Sequence, residues 1–247
     1  MRVPLLINVE LLFRKCKDEL VYLFKDRRKF HIKKYDVIFS FGFSCSTAMF
    51  LKNQNLRKFS SPFDWVSIAP FSSRCDIFLN KFENYINKED LEFFGKRETP
   101  EPKDMYLNKK NKICFVHDFP IGGNLDETYF CVLDKYQRRI KRLLDKIEQN
   151  EKTLLVYMDF PLDASSKAGD DEIINFINKA NEVYNKTHLD ILFIRHNENM
   201  KKGEFNINQI SENAIIAECF NQSGDDISAG NEKNVRKILQ FFKLRKQ

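Results

Sequence analysis

The chain has 247 residues, 43% of them hydrophobic and 31% charged, and its 41 Lys or Arg against 35 Asp or Glu give a formal charge of +6. That length can bury a full core and fits one large α/β domain. Six cysteines with no paired spacing and no C-x-x-C exclude a secreted disulfide framework and point to the reduced cytoplasm.

In chain order, the apolar start from Val3 to Phe13 is too short to span a bilayer, is interrupted by Glu10 and lacks a small-residue cleavage site. No signal peptide or transmembrane helix is expected. Residues 1–34 read as a basic N-terminal helical segment, with ten Lys or Arg against four acids, and residues 35–247 as a single α/β domain. Basic charge gathers again in Lys233, Arg236, Lys237, Lys243, Arg245 and Lys246. These ends suit weak contact with an anionic membrane surface or a polyanionic glycan, although a solvated helix face is the plainer reading.

From residue 35 onward, short apolar strands alternate with amphipathic helices. Strands are expected at 36–41, 112–117, 153–159, 189–195 and 214–219, and helices near 45–54, 134–149, 170–185 and 231–243. The run Thr153 to Met158 is continuously apolar, as in a strand covered on both faces. The pattern predicts a three-layer α/β/α fold with a mostly parallel sheet, with residues 37–40, 113–116, 154–158 and 190–194 on adjacent or near-adjacent strands. Residues 55–110 break the alternation: the turn-rich Ser60 to Trp65, short helical pieces around 71–86 and a charged loop from Lys96 to Asp104 read as an insertion covering the site.

Sites in such sheets form beyond the carboxyl ends of the strands. There stand Phe41-Gly42-Phe43-Ser44-Cys45, Val116-His117-Asp118-Phe119, Met158-Asp159, Arg195-His196-Asn197 and Glu218-Cys219. Gly42 allows a tight turn, and Ser44 or Ser46 can cap the following helix, placing Cys45 at its N-terminus. Unpaired N–H groups and the helix dipole favour thiolate there, so Cys45 is expected to titrate below about 8.5 and to label ahead of the other five thiols. His117 is the leading base and His196 its rival. Asp159 is the preferred orienting acid, ahead of Asp118, whose side chain should project opposite to His117 in a regular strand; Asp64 is a third candidate. Gly122-Gly123-Asn124 offers a flexible loop with exposed N–H groups, and the Cys45 or Ser46 N–H would hold an oxyanion. Cys114 and His117, three apart on a strand, point to opposite faces and do not make a metal pair. No Walker lysine motif or Gly-x-Gly-x-x-Gly is present, and no cofactor or nucleic-acid partner is implied.

The segment Ile38 to Ala48, then Leu56-Arg57, Ser61-Pro62-Phe63-Asp64-Trp65 and later Phe115-Val116-His117-Asp118-Phe119, resembles bacterial proteins grouped as the DUF1796 family of papain-like cysteine peptidases. The similarity runs over roughly residues 35–200. It implies a Cys/His site at Cys45 and His117. The expected activity is a cysteine-dependent hydrolase acting on the carbonyl of a small-molecule, peptide or glycan substrate, with binding contributions from Ser44, Ser46, Asp64, Trp65, Asp118, Asn124 and His196. The alternatives are an acyl transferase, or a non-catalytic binding protein linked to bacterial surface-glycan biosynthesis. The serine hydrolase patterns fit less well: Phe43 stands where Gly-Asp-Ser esterases have an acid, and Ser46 stands where the second glycine of a Gly-x-Ser-x-Gly elbow belongs.

Overall fold

The computed structural model describes residues 30–98, 101–149, 152–159, 168–201, 203–220 and 230–245. Of the basic N-terminal segment, residues 1–29 lie outside the described residues, as do Pro161 and Lys246. Lys33 and Lys34 are in a strand rather than a helix.

The strands most clearly marked by their composition build a five-stranded sheet. Its order is β2 (Val37–Ser40), β7 (Thr153–Met158), β8 (Leu189–His196), β10 (Ala214–Cys219) and β9 (Phe205–Gln209). The first four run parallel and β9 pairs antiparallel to β10. Successive strand residues point to opposite faces, and both faces are covered. Phe39, Leu155, Tyr157, Ile191 and Phe193 pack into one core with helices α2 (Phe71–Leu79), α3 (Leu125–Glu148) and α4 (Asp170–Val183). Ile38, Leu154, Val156, Leu192 and Ile194 pack into another with α1 (Cys45–Asn53) and α5 (Lys233–Leu239). Burial on both faces is why these strands read as unbroken apolar runs.

The expectation of one mostly parallel sheet fails for the rest of the chain. β3 (Val66–Ser67), β6 (Cys114–Pro120), β5 (Lys103–Asn108) and β4 (Leu91–Arg97) form a separate four-stranded antiparallel sheet in that order. Of residues 113–116, expected on a strand adjacent or near-adjacent to β2, 114–116 belong to a different sheet. The supposed insertion at 55–110 supplies three of its four strands. A third, two-stranded sheet pairs β1 (Lys33–Tyr35) parallel with β11 (Phe242–Leu244), so the helix expected over 231–243 ends at Leu239. α3 also begins earlier than its apolar stripe suggested, at Leu125, because the Asn124 side chain accepts from the Asp126 N–H at 2.9 Å and acids fill the first turn.

Candidate active site

β2 leads into the site through a turn whose geometry is fixed on several sides. Phe41 N–H still donates to the Val156 carbonyl at 2.8 Å, extending the β2–β7 pairing beyond Ser40. Gly42 follows because there is no room for more: a Cβ on it would lie 1.9 Å from Thr47 Oγ1. Ser44 is the N-cap of α1, its side chain accepting from Ser46 N–H at 3.3 Å and contacting the Ser46 hydroxyl at 3.0 Å. Cys45 is then the first helical residue. Arg74, fully buried on α2, donates to the Phe43 carbonyl at 2.8 Å and so holds the turn from behind.

The second wall comes from the Ser61 to Trp65 segment. The Ser61 hydroxyl donates to the Ser40 carbonyl at 2.8 Å, tying this segment to the end of β2. Asp64 accepts from Ser61 N–H at 3.0 Å and from Arg57 Nε at 2.8 Å. The Arg57 guanidinium lies 5.6 Å from the Trp65 ring centroid, and Trp65 meets the His117 imidazole edge-on at 5.6 Å. Burial pushes the Asp64 carboxyl up to about 6, against the pull of Arg57.

His117 comes from β6, which is irregular here. Phe115 pairs with Tyr106 and Phe119 with Asp104, so Val116, His117 and Asp118 stand opposite Met105 alone. This bulge breaks the alternation, and both His117 and Asp118 line the same cavity. The expectation that Asp118 would project away from His117 is thereby overturned. Asp118 is tied to α3 by Lys135 and by the Tyr136 hydroxyl, which donates at 2.8 Å.

The group against the His117 ring is a cation. Arg97 Nη1, from the end of β4, contacts Nδ1 and lies 3.3 Å from Nε2. Burial and then Arg97 lower the His117 pKa, with Asp118 opposing them, so the ring is held neutral. For Cys45, burial pushes the thiol up, while Arg97 and the residue's own backbone N–H pull it back. This corrects the expected thiolate: helix-start stabilisation is present, but desolvation of the charged form exceeds it.

Cys45, Trp65, His117 and Asp118 thus meet on a cavity of about 580 Å³, together with Met49, Arg97, Glu101, Lys135 and Arg139. The other candidates lie elsewhere. Ser44 and Ser46 serve the cap, Asp64 stands behind Trp65, and Asn124 caps α3. Asp159 is buried just past the end of β7, its N–H donating to the Ile194 carbonyl at 2.8 Å, and does not line the cavity. His196 pairs with Cys219 at the end of β8, with β7 between it and β2, and its ring faces Phe220 at 5.3 Å. In the sequence, Arg97 and Glu101 are marked only as part of a charged loop over the site, without a role, and Lys135 and Arg139 are not marked as site residues. The one signal for the last two was their spacing of four on α3, which puts both on one helix face.

Among the described residues no cluster of His, Cys, Asp and Glu could hold a metal ion, and no helix is long and apolar enough to cross a membrane. Cys45, Cys75, Cys114 and Cys131 are free thiols.

A sequence profile described as "Putative papain-like cysteine peptidase (DUF1796)" matches residues 36–214, a span that holds both Cys45 and His117. The chain belongs to this family. A curated relative, "Uncharacterized protein R408" of Acanthamoeba polyphaga mimivirus, is 26% identical over 182 residues, covering 67% of this chain and 80% of the relative. That relative is viral and lends no support to a bacterial source. No solved structure matches the chain. Membership of the DUF1796 family supports a cysteine hydrolase in outline and specifies neither the substrate nor the bond cleaved.

Proposed function

We propose that this DUF1796 protein is a cysteine-dependent hydrolase in which Cys45 is the nucleophile and His117 the proton carrier. The observation that carries the reading is the placement of both side chains on one cavity, Cys45 at the first position of a capped helix and His117 on a bulged strand of the other sheet.

Both groups are neutral at rest, so the chemistry is general-base rather than attack by a preformed ion pair. His117 takes the Cys45 proton as Sγ attacks the substrate carbonyl carbon, and the carbonyl π pair moves to oxygen. The Cys45 N–H at the start of α1 stabilises that oxyanion, the Ser46 N–H being held by the Ser44 cap. Collapse expels the leaving group, which takes the proton from the imidazolium and leaves a thioester. Water then attacks the thioester carbon, giving its proton to His117, and the thiol is re-formed as the carboxylic acid departs. Arg97 positions His117 and keeps it basic only weakly. Asp159, the expected orienting acid, has no place in this scheme; Asp118 is the carboxylate nearest His117 in the chain and acts on it through charge.

Burial of the thiol favours a second reading, a binding protein that uses the same cavity without covalent chemistry. Iodoacetamide labelling of the intact protein separates the two. Hydrolase chemistry requires that His117→Ala suppress labelling of Cys45 at neutral pH, with partial recovery at alkaline pH, and that His196→Ala leave it nearly intact. Equal labelling in wild type and His117→Ala would remove the Cys/His mechanism.

A further inference from the structure

Three cations line the cavity, and their engagements differ. Arg97 is turned to His117, and Lys135 is paired with Asp118, whose remaining oxygen is taken by Tyr136. Arg139, one helical turn from Lys135, lies with its guanidinium 5.2 Å from the Tyr136 ring centroid. Its Nη1 is buried and has no hydrogen-bond partner in the protein. A buried charged donor without an acceptor is costly, and a planar guanidinium fork matches a carboxylate or phosphate. Of the two carboxylates on the cavity, Asp118 is already committed and Glu101 is solvent-exposed, and Asp64, which feels Arg139 through charge, lies off the cavity and is hydrogen-bonded to Arg57 and Ser61. A cavity of about 580 Å³ admits a small molecule whole.

We infer that the cavity selects an anionic substrate, with Arg139 binding a carboxylate or phosphate group of the molecule whose carbonyl is presented to Cys45. This rests on the hydrolase reading for the position of the carbonyl, while the anion site itself does not depend on the thiol's reactivity.

Two alkylating agents differing only in charge test it on the full chain. Iodoacetate and iodoacetamide both form a bond from sulfur to the methylene carbon and expel iodide, but only the first carries a carboxylate. The iodoacetate-to-iodoacetamide rate ratio at Cys45, followed by peptide mass mapping, should exceed the ratio at exposed Cys131 in the same molecule by about tenfold. Arg139→Gln should bring the Cys45 ratio down to that of Cys131. Equal ratios at the two thiols in the wild type would overturn the proposal.

Calorimetry on Cys45→Ser protein supplies an arm that needs no nucleophile. Inorganic phosphate or succinate should bind to Cys45→Ser, and binding should be lost in Cys45→Ser/Arg139→Gln; which of the two binds identifies the group recognised. If Cys45 resists both alkylating agents yet Arg139-dependent binding is measured, the anion site stands and the hydrolase reading falls. If neither anion binds, the anion site is refuted.

Discussion

Arg97 acts on His117 and Cys45 at once, lowering the pKa of the imidazole it touches and opposing the desolvation that raises that of the thiol. A thiol held above its ordinary value gains thiolate about tenfold per pH unit until its own pKa is reached. In His117→Ala protein, where only free thiolate reacts, iodoacetamide alkylation of Cys45 should therefore climb through about pH 6 to 8 without a plateau, whereas in the wild type neutral His117 adds a pH-independent rate to that climb. A flat rate in the variant would mean that the thiolate is already formed without the imidazole. Arg97→Gln should raise the pKa of His117, read by NMR titration of its ring protons, and shift the alkylation profile of Cys45 further alkaline; a fall in either value would contradict the role given to Arg97. Asp64 is a separate case. The folded chain holds its proton more tightly than the unfolded chain, whose carboxyl titrates near 3.8, so its contribution to stability declines as pH rises from about 4 to about 6. Asp64→Asn should flatten that part of a Tm-against-pH curve.

At the scale of elements, the turn between β2 and α1 is the part most tightly constrained by contact. Gly42→Ala would force a methyl group onto Thr47 Oγ1, which cannot retreat far from a fully buried position, so a loss of about 2 kcal/mol is expected in urea unfolding. A loss under about 0.5 kcal/mol would show that the turn yields easily. This turn was legible in the chain because everything it needs is local: the apolar run, the glycine, the capping serine. β6 was legible as a strand for the same reason, but its bulge was not, since the three residues opposite Met105 are defined only by pairing with β5. β4 escaped notice altogether. Its Glu92, Phe93 and Phe94 are all exposed and Phe94 is an extra residue between the pairs Phe93↔Tyr106 and Gly95↔Met105, so no period-two signal survives in Leu91–Arg97. With β4 went Arg97, whose approach to His117 is set by the antiparallel register rather than by spacing in the sequence.

For the molecule as a whole, the site lies where two sheets and a helix converge rather than along the edge of one parallel sheet. Cys45 is delivered by the first sheet, His117 and Arg97 by the second, and Lys135 and Arg139 by α3. The two sheets differ in burial. All six residues of β7 are buried, whereas β4 is an edge strand with no buried residue. Native-state hydrogen exchange should find β7 and β8 opening only with global unfolding, and β4 exchanging faster by at least about tenfold; equal protection would mean that the antiparallel sheet unfolds in concert with the rest.

The β1–β11 pairing sets a condition on how the protein is made. Tyr35 and Phe242 are both fully buried and stack at 6.4 Å, and Arg245 reaches back to Asp36, 209 residues away. During translation the first of these strands leaves the ribosome long before its partner exists, by roughly 10 to 40 s at usual elongation rates of about 5–20 residues per second. For that interval the Tyr35 ring and the open backbone of β1 face solvent or a chaperone. The nascent chain can complete the β2–α1 turn around Cys45 early, but it cannot close its own seam until Phe242–Leu244 has been made.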